Sequence, residues 1–456
     1  MPFICIRCLG SNGNYQLGLN HDEDIDIPET TLRCYIRPEF VSQVDKTFLH
    51  RQESNLSRES MEDCDLHRLG FTSGSVFPVK IACGGNHTVI LLSNGAVIGT
   101  GLNEQGQLIL DSKVPENKVL KFWRVIYDDP THPAIDLACC WESTVVAVLN
   151  QPHTTGGDFK SINIKSFGTG MKGELGLGNS TTFNADHLRN VLELKNSSKI
   201  SLLSSMANVI VLDKQAKMCY GWGNNTKNQL LVPNANSHSP ANTDKLSRKR
   251  TKIVWEPVQI DVVAEFDDCL YSLGKDFLAW ISRENTDLTF EASGSLDVQL
   301  SSQKVSKSKV DSILSANSNF QISKMEGMWS SVHIISKQKN DTVKLTSLGK
   351  GRHGQLSMNG RLLQQYKDFS CGSEHGIFCN KKNEVYCWGW GEHGNCGMRN
   401  PELMPDGHRG KITQDTTVWE NLNLFFALRV KNTYCLFREV VLPVSLLALH
   451  RNSKTS

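Results

Sequence analysis

Three segments of this chain spell the glycine pattern that cradles phosphates: Gly168/Gly170/Gly173, Gly349/Gly351/Gly354 and Gly389/Gly391/Gly394. Phosphate binding of the dinucleotide kind needs the third glycine to open a helix inside a βαβ unit. Here Leu175-Gly176-Leu177-Gly178-Asn179-Ser180 follows the first copy, which is poor helix material. Several copies also serve no single cofactor. The pattern therefore reads as a structural turn. Its glycines supply positive φ, and the leucine behind each turn plugs a core. One such buried leucine contributes roughly 1.5–3 kcal/mol.

Other chemically able residues are scattered. Cys5 and Cys8 form a C-x-x-C, but a strand would point them to opposite faces, against a metal or redox role. Cys139, Cys140, Cys371, Cys379, Cys387 and Cys396 read as small buried residues. His87 and His375 repeat at one motif position. Ring symmetry would hold them apart, so a structural hydrogen bond suits them better than metal ligation. There is no nucleophile elbow, zincin motif, Walker motif or clustered carboxylate pair. The expectation is a non-enzyme without cofactor or metal.

The elements that position these residues recur. Cys83-Gly84-Gly85-Asn86-His87-Thr88 precedes the hydrophobic run Val89–Leu92, and Ser93-Asn94-Gly95 joins it to Ala96–Gly99. Asn-Gly between two apolar runs is a hairpin signal. Gly101-Leu102-Asn103-Glu104-Gln105-Gly106-Gln107-Leu108 then closes the unit. Counting Gly10, Gly101, Gly168, Gly223, the decayed Gly294, Gly349 and Gly389 gives seven units, each near the length of a propeller blade. The hairpin logic puts the G-x-x-H loops and the glycine turns at one end of every sheet, and Asn94-Gly95 at the other.

The pairing of G-x-x-H-T with G-x-N-x-x-G-Q-L-G resembles the regulator of chromosome condensation family. That implies an all-β, seven-bladed β-propeller with one domain over 1–415. The polar insertions lie at about 29–77, 233–252 and 301–319. Gly221-Trp222-Gly223-Asn224-Asn225 and Cys387-Trp388-Gly389-Trp390-Gly391-Glu392-His393-Gly394-Asn395-Cys396-Gly397 are similar to the fungal alpha-tubulin-suppressor branch of that family. This resemblance implies a heterodimer with a small CSL zinc-finger protein. It also implies support for diphthamide synthesis on elongation factor 2, and for Elongator-dependent modification of tRNA wobble uridines, in cytoplasm and nucleus. A nucleotide-exchange factor or microtubule-related regulator acting on a Ran-like GTPase is the competing reading; exchange predicts a basic N-terminal tail, which is not seen.

Comparing equivalent loop positions points to a partner-binding face. Trp390 stands after the first turn glycine, where Ser11, Leu102, Thr169, Asn224 and Lys350 stand elsewhere. Trp141 and Trp329 stand where Gly85, Gly274 and Ser373 suffice. With Glu142, Asn224, Lys275, Asp276, Glu374, Glu392 and His393 they make aromatics ringed by charge, the composition of a hot spot. Trp390 also shares a strand face with Trp388, so a core position stays open.

Composition bounds the rest. A chain of 456 residues with 39% hydrophobic residues suits one large globular propeller. A net charge of +2 leaves no nucleic-acid footprint, and no apolar run is long enough to span a membrane. Fourteen cysteines without a secretory signal favour reduced thiols. Lys245–Lys252 reads as a solvated inter-blade loop or a nuclear address. The tail, residues 416–456, matches no blade motif and is expected to reflect a shifted frame, an intron or divergence. The sheet holding Gly10 would then be weakly closed, or patched by Thr416–Trp419 or by the apolar tail; an extra helix is the alternative.

Overall fold

The computed structural model describes residues 3–37, 65–72, 74–150, 161–178, 188–232, 252–260, 269–284, 287–296, 299–300, 303–304, 320–338, 342–363, 366–381, 384–397, 418–427 and 444–449. The Lys245–Arg250 cluster lies outside these.

Six antiparallel sheets are built from consecutive strands and form the blades. Blade 1 comprises Pro78–Cys83, His87–Leu92, Val97–Leu102 and Val119–Tyr127. Blade 2 comprises Ala134–Cys139, Ser143–Asn150, Ser161–Gly168 and Arg189–Lys195. Blade 3 comprises Ile200–Ser204, Asn208–Asp213, Met218–Asn224 and Ile253–Gln259. Blade 4 has Leu270–Leu273, Phe277–Glu284 and Asp287–Gly294. Blade 5 has Phe320–Gly327, Ser331–Gln338, Val343–Gly349 and Leu362–Leu363. Blade 6 has Tyr366–Cys371, His375–Asn380, Glu384–Trp390 and Val418–Ala427.

The expectation of seven like blades is corrected to six. Gly10 ends a strand, Phe3–Gly10, that pairs with Ile25–Tyr35 on one side and Val444–Leu449 on the other. By register with Gly101, Ile25–Tyr35 takes the outer place and Val444–Leu449 the second place. Among the described residues nothing fills the innermost place. This sheet is therefore assembled from both ends of the described chain instead of repeating the unit.

The second strand of each blade is sandwiched by neighbouring sheets. Every residue of His87–Leu92, Asn208–Asp213 and His375–Asn380 is buried. Burial on both faces explains why these runs read as continuous apolar stretches rather than alternating ones.

The turn motif has a hydrogen-bond logic. Its asparagine caps the leucine: Leu17, Leu108 and Leu230 N–H donate to Asn12, Asn103 and Asn225 Oδ1 at 3.0, 2.7 and 3.0 Å. Its glutamine accepts from the residue two before it, as Gln107 Oε1 does from Gln105 N–H at 3.0 Å and Gln355 Oε1 from His353 N–H at 2.8 Å. The first glycine is required: Gly101 has φ 103°, and a Cβ there would lie 2.5 Å from Asn86 O.

The glutamine carbonyl then bonds the next sheet. Thr88 Oγ1 donates to Gln16 O at 2.7 Å, Thr144 Oγ1 to Gln107 O at 2.9 Å, and Trp222 Nε1 to Glu174 O at 2.8 Å. Ser293 Oγ donates to Gln229 O at 2.6 Å and Trp388 Nε1 to Gln355 O at 3.1 Å. Blade 4 breaks the series. Its Gln299-Leu300 comes one residue early, without a glycine before it, and pairs with Gln303–Lys304 as a two-residue ribbon.

Ions tie the innermost strands. Lys80 Nζ lies 2.7 Å from Asp136 Oδ1, while Asp136 Oδ2 accepts Leu202 N–H at 2.8 Å, joining blades 1 to 3. Lys324 Nζ lies 2.7 Å from Glu326 and 2.9 Å from Asp368, joining blades 5 and 6. Burial alone would lower Lys324; the carboxylates of Glu326 and Asp368 outweigh it and hold the ammonium form. These strands surround a cavity of about 540 Å³, lined by Lys80, Asp136, Tyr271, Lys324 and Glu326 among others.

Two outcomes follow from this packing. Thr144 Oγ1 serves both Gln107 O and His87 Nε2, the latter at 2.9 Å. Thr144→Val should destabilise the protein by about 2 kcal/mol or more in urea unfolding, since each orphaned partner costs about 1–3 kcal/mol. Burial lowers His87 and His333 from 6.5 to about 3 and His375 to about 4. The folded state keeps them neutral while the unfolded chain binds protons. Their contribution is fully present above pH 6.5 and is lost as pH falls toward 4 and 3. Burial raises Glu174, Glu326 and Glu374, which act in the opposite sense. The histidine term is isolated by comparison: His87→Gln should flatten the stability slope below pH 6.5 by up to about 1.4 kcal/mol per pH unit. An unchanged slope would refute the neutral buried assignment.

Candidate functional site: an aromatic and charged face

The glycine turns and G-x-x-H loops do share one end of the sheets. His87 pairs with Gly101 and His375 with Gly389, and Trp390 N–H donates to Glu374 O at 2.9 Å. The G-x-G-x-x-G runs are turns between strands, with Gly173, Gly354 and Gly394 at φ 82°, 80° and 79°. A Cβ on Gly173 would meet Val254 O at 2.7 Å, so that glycine admits a neighbouring strand, not a phosphate.

The loops are chained through backbone bonds. Gly85 N–H donates to Trp141 O, and Trp141 N–H to Met206 O. Lys275 N–H donates to Trp329 O, and Trp329 N–H to Ser373 O. Trp141 and Trp329, from blades 2 and 5, thereby meet with ring centroids 5.9 Å apart. Both are half-buried. The exposed Lys275 places its Nζ 5.8 Å from the Trp329 ring centre. Trp329 Nε1 is buried without a hydrogen-bond partner.

The cluster continues into blade 6. Glu374 Oε2 accepts from Ser330 Oγ and from Gln355 Nε2, both at 2.7 Å. Burial pushes the Glu374 carboxyl up, and these two bonds pull it back. Beside it Trp390 stacks on His353, with centroids 4.9 Å apart and planes 23° apart. Trp388 is the core residue of the pair, whereas Trp390 is half-buried. Around them Lys350, Arg352 and Glu392 are exposed.

The remaining sequence-selected residues make bonds of their own. His393 pairs with Asp24 of the N-terminal sheet, Nδ1 to Oδ2 at 3.0 Å. Asn224 is buried; its carbonyl accepts from Asn208 Nδ2 and its Oδ1 from Thr226 N–H, a turn-holding role. Glu142 and Asp276 are half-buried, and their carbonyls accept Thr169 N–H and Ser295 N–H at 2.9 Å each. His353, Ser330, Gln355 and Asp24 escaped the sequence comparison. So did Met171, a turn-tip side chain 74% exposed. Comparing the fourth position after each first glycine would have singled out His353 and His393 against Asn14, Gln105, Lys172 and Lys227.

Among the described residues no cluster of three or more His, Cys, Asp or Glu could hold a metal ion. Cys8 is buried and its thiol is pushed up by burial. The Cys5 side chain lies outside the description.

The Regulator of chromosome condensation (RCC1) repeat matches residues 79–107 and 366–395, within blades 1 and 6. An RCC1 repeat-containing protein of Schizosaccharomyces pombe is 25% identical over 397 residues, covering 85% of this chain and 88% of its own. Among solved structures, Prp20p of Saccharomyces cerevisiae superposes with a TM-score of 0.59 at 15% identity over 99% of this chain and 92% of its own. Human WBSCR16 does so at 0.57 and 10% identity, covering 98% of each. The fold is an all-β propeller of the RCC1 type.

The two central tryptophans should be energetically coupled. In a double-mutant cycle, Trp141→Ala and Trp329→Ala should deviate from additivity by about 0.5–1.5 kcal/mol in urea unfolding. Additive losses would mean that the rings do not rest on one another in solution.

Proposed function

We propose that this RCC1-type propeller is a non-enzymatic protein-binding scaffold whose partner docks on the Trp329–Glu374–Trp390 face. The carrying observation is the half-buried Trp390–His353 stack inside a rim of exposed Lys350, Arg352 and Glu392. A flat aromatic anchor desolvates on docking, and a charged rim orients the encounter. A propeller face suits this work, because its loops are held by a rigid ring.

The partner we propose is a small CSL-type zinc-finger protein, bound as a heterodimer. The joint role would be support of diphthamide synthesis on elongation factor 2 and of Elongator-dependent wobble uridine modification, in cytoplasm and nucleus. The support for this finer reading is the Cys387–Gly397 run and the Gly221–Asn225 run of the sequence. In the central cavity, Lys80 and Lys324 are engaged by Asp136, Glu326 and Asp368. That leaves those lysines poor candidates for catalytic bases.

A second reading has its own support. The Prp20p structure is described together with binding to Gsp1p and histones. By fold analogy alone this chain would act as an exchange factor on a Ran-like GTPase.

Calorimetry separates the two. Trp390→Ala should weaken binding of a CSL-type partner by about 2 kcal/mol or more, roughly 30-fold. Asn94→Ala, at the opposite end of the sheets, should leave it unchanged. Undiminished affinity in a folded Trp390→Ala protein would remove this face from the interface. In a fluorescent-nucleotide assay the chain should not accelerate release from a Ran-like GTPase; strong, concentration-dependent acceleration would put the exchange reading first.

A further inference from the structure

Blade 6 departs from the repeat at the position of the leucine plug. Seven residues after the first turn glycine, the other motifs carry Leu17, Leu108, Leu175, Leu230 and Leu356; blade 6 carries Cys396. Two residues before that glycine, the strand carries a small residue that the leucine packs over. A Cβ on Gly99 would lie 2.8 Å from Leu108, and one on Gly221 3.3 Å from Leu230. Elsewhere that residue is Cys8, Ser166 or Ser347, and in blade 6 it is Cys387. Cys8 keeps a leucine, Leu17, as its neighbour, whereas Cys387 faces a second cysteine in the leucine's place. Their sulfurs lie 2.7 Å apart, and both side chains are fully buried. Cys396 Sγ also lies 3.7 Å from Trp388 O and 3.8 Å from Trp390 O.

We propose that Cys387 and Cys396 are a site of reversible oxidative modification, a disulfide that staples the turn presenting Trp390, Glu392 and His393. The oxidant class is a hydroperoxide. One thiol, as thiolate, attacks the peroxide oxygen; the O–O bond breaks, leaving a sulfenic acid and, for hydrogen peroxide, water. The second sulfur attacks the sulfenic sulfur, and its proton leaves with the hydroxyl as a second water. Two thiols and one hydrogen peroxide give one disulfide and two waters. Sulfur is oxidised and peroxide oxygen is reduced. Burial pushes the Cys387 thiol well above its usual range, so the thiolate forms when the turn opens. The staple is therefore slow to form and, once buried, shielded from reductants. The sulfurs need to approach by only about 0.7 Å to reach covalent distance.

The test uses the full chain purified under reductant, treated with hydrogen peroxide, alkylated in denaturant and mapped by mass spectrometry. The expected product is a peptide bridged between Cys387 and Cys396, two hydrogens lighter than the reduced form and restored by dithiothreitol. Oxidation should raise the melting temperature by a few degrees. Cys396→Leu restores the leucine of the other blades and should fold, yet show neither the bridge nor the shift. Full alkylation of both thiols after peroxide would overturn the proposal, as would pairing of Cys387 with Cys371 instead. A bridge that forms without changing the melting temperature would overturn the stapling role.

Discussion

The architecture depends on one hydrogen bond, repeated. The main-chain carbonyl of the motif's glutamine, or of Glu174 in blade 2, accepts a hydrogen bond from a side chain of the following sheet. The donor chemistry varies among threonine, serine and the tryptophan indole, but the acceptor is fixed by turn geometry. The asparagine and glutamine side chains bond the turn's own N–H groups, so the turn is rigid before it meets its neighbour. A blade cannot bury both faces alone, and the bond sets the register in which two blades share a core. A carbonyl buried between sheets without this donor would cost free energy instead of adding to it.

The candidate face inherits its geometry from the same device. Each G-x-x-H loop is held by the strand that ends at the turn glycine, as Leu102 N–H to Asn86 O and Trp390 N–H to Glu374 O show. With the loops fixed, their extra tryptophans have little freedom. Trp141 and Trp329 lean on each other from separate blades, and Lys275 takes the outer face of Trp329. Glu374, held between Ser330 and Gln355, then bridges this centre to Trp390. Gln355 does double duty, because its Oε1 caps the His353 turn while its Nε2 holds Glu374. The site is thus an elaboration of the repeat's own hydrogen bonds.

Much of this was legible in the sequence because the repeat encodes local geometry. Asn94-Gly95 announced a hairpin, and Gly101 and Gly168 marked backbone that only glycine adopts easily. Trp141, Trp329 and Trp390 stood out as large residues in places where small ones suffice. What stayed hidden depended on distance. Nothing in the chain around Trp141 tells that Trp329 is its neighbour. Nor does the chain near Asp24 reveal that His393, far away in sequence, pairs with it. Asn224 looked like a surface residue at a turn tip, yet its polar atoms close the turn from within. The blade count depended on distance too. Gly10 bears the local mark of a unit, but the strands that flank it come from Ile25–Tyr35 and Val444–Leu449, and no local pattern links those to the repeat.

The departures from the repeat occur in blade 4 and where the ring meets its own ends. Blade 4 keeps a Gln-Leu pair but loses the spacing and the glycine before it, and that pair forms a ribbon with Gln303–Lys304 instead of the standard turn. The N-terminal sheet borrows a strand from Val444–Leu449, whose backbone pairs residue for residue with Cys5–Gly10. Blade 6 stands beside that sheet and touches it through the His393–Asp24 contact and the close approach of Gly394 to Ile25 O. It is also the blade whose leucine plug is replaced by Cys396, beside Cys387. Among the described residues the closing sheet has no innermost strand, so blade 6 packs beside a sheet built differently from its own. Tryptophan, charge and paired cysteine are thus concentrated in blade 6, so the proposed docking face and the proposed staple would both lie at the seam of the ring.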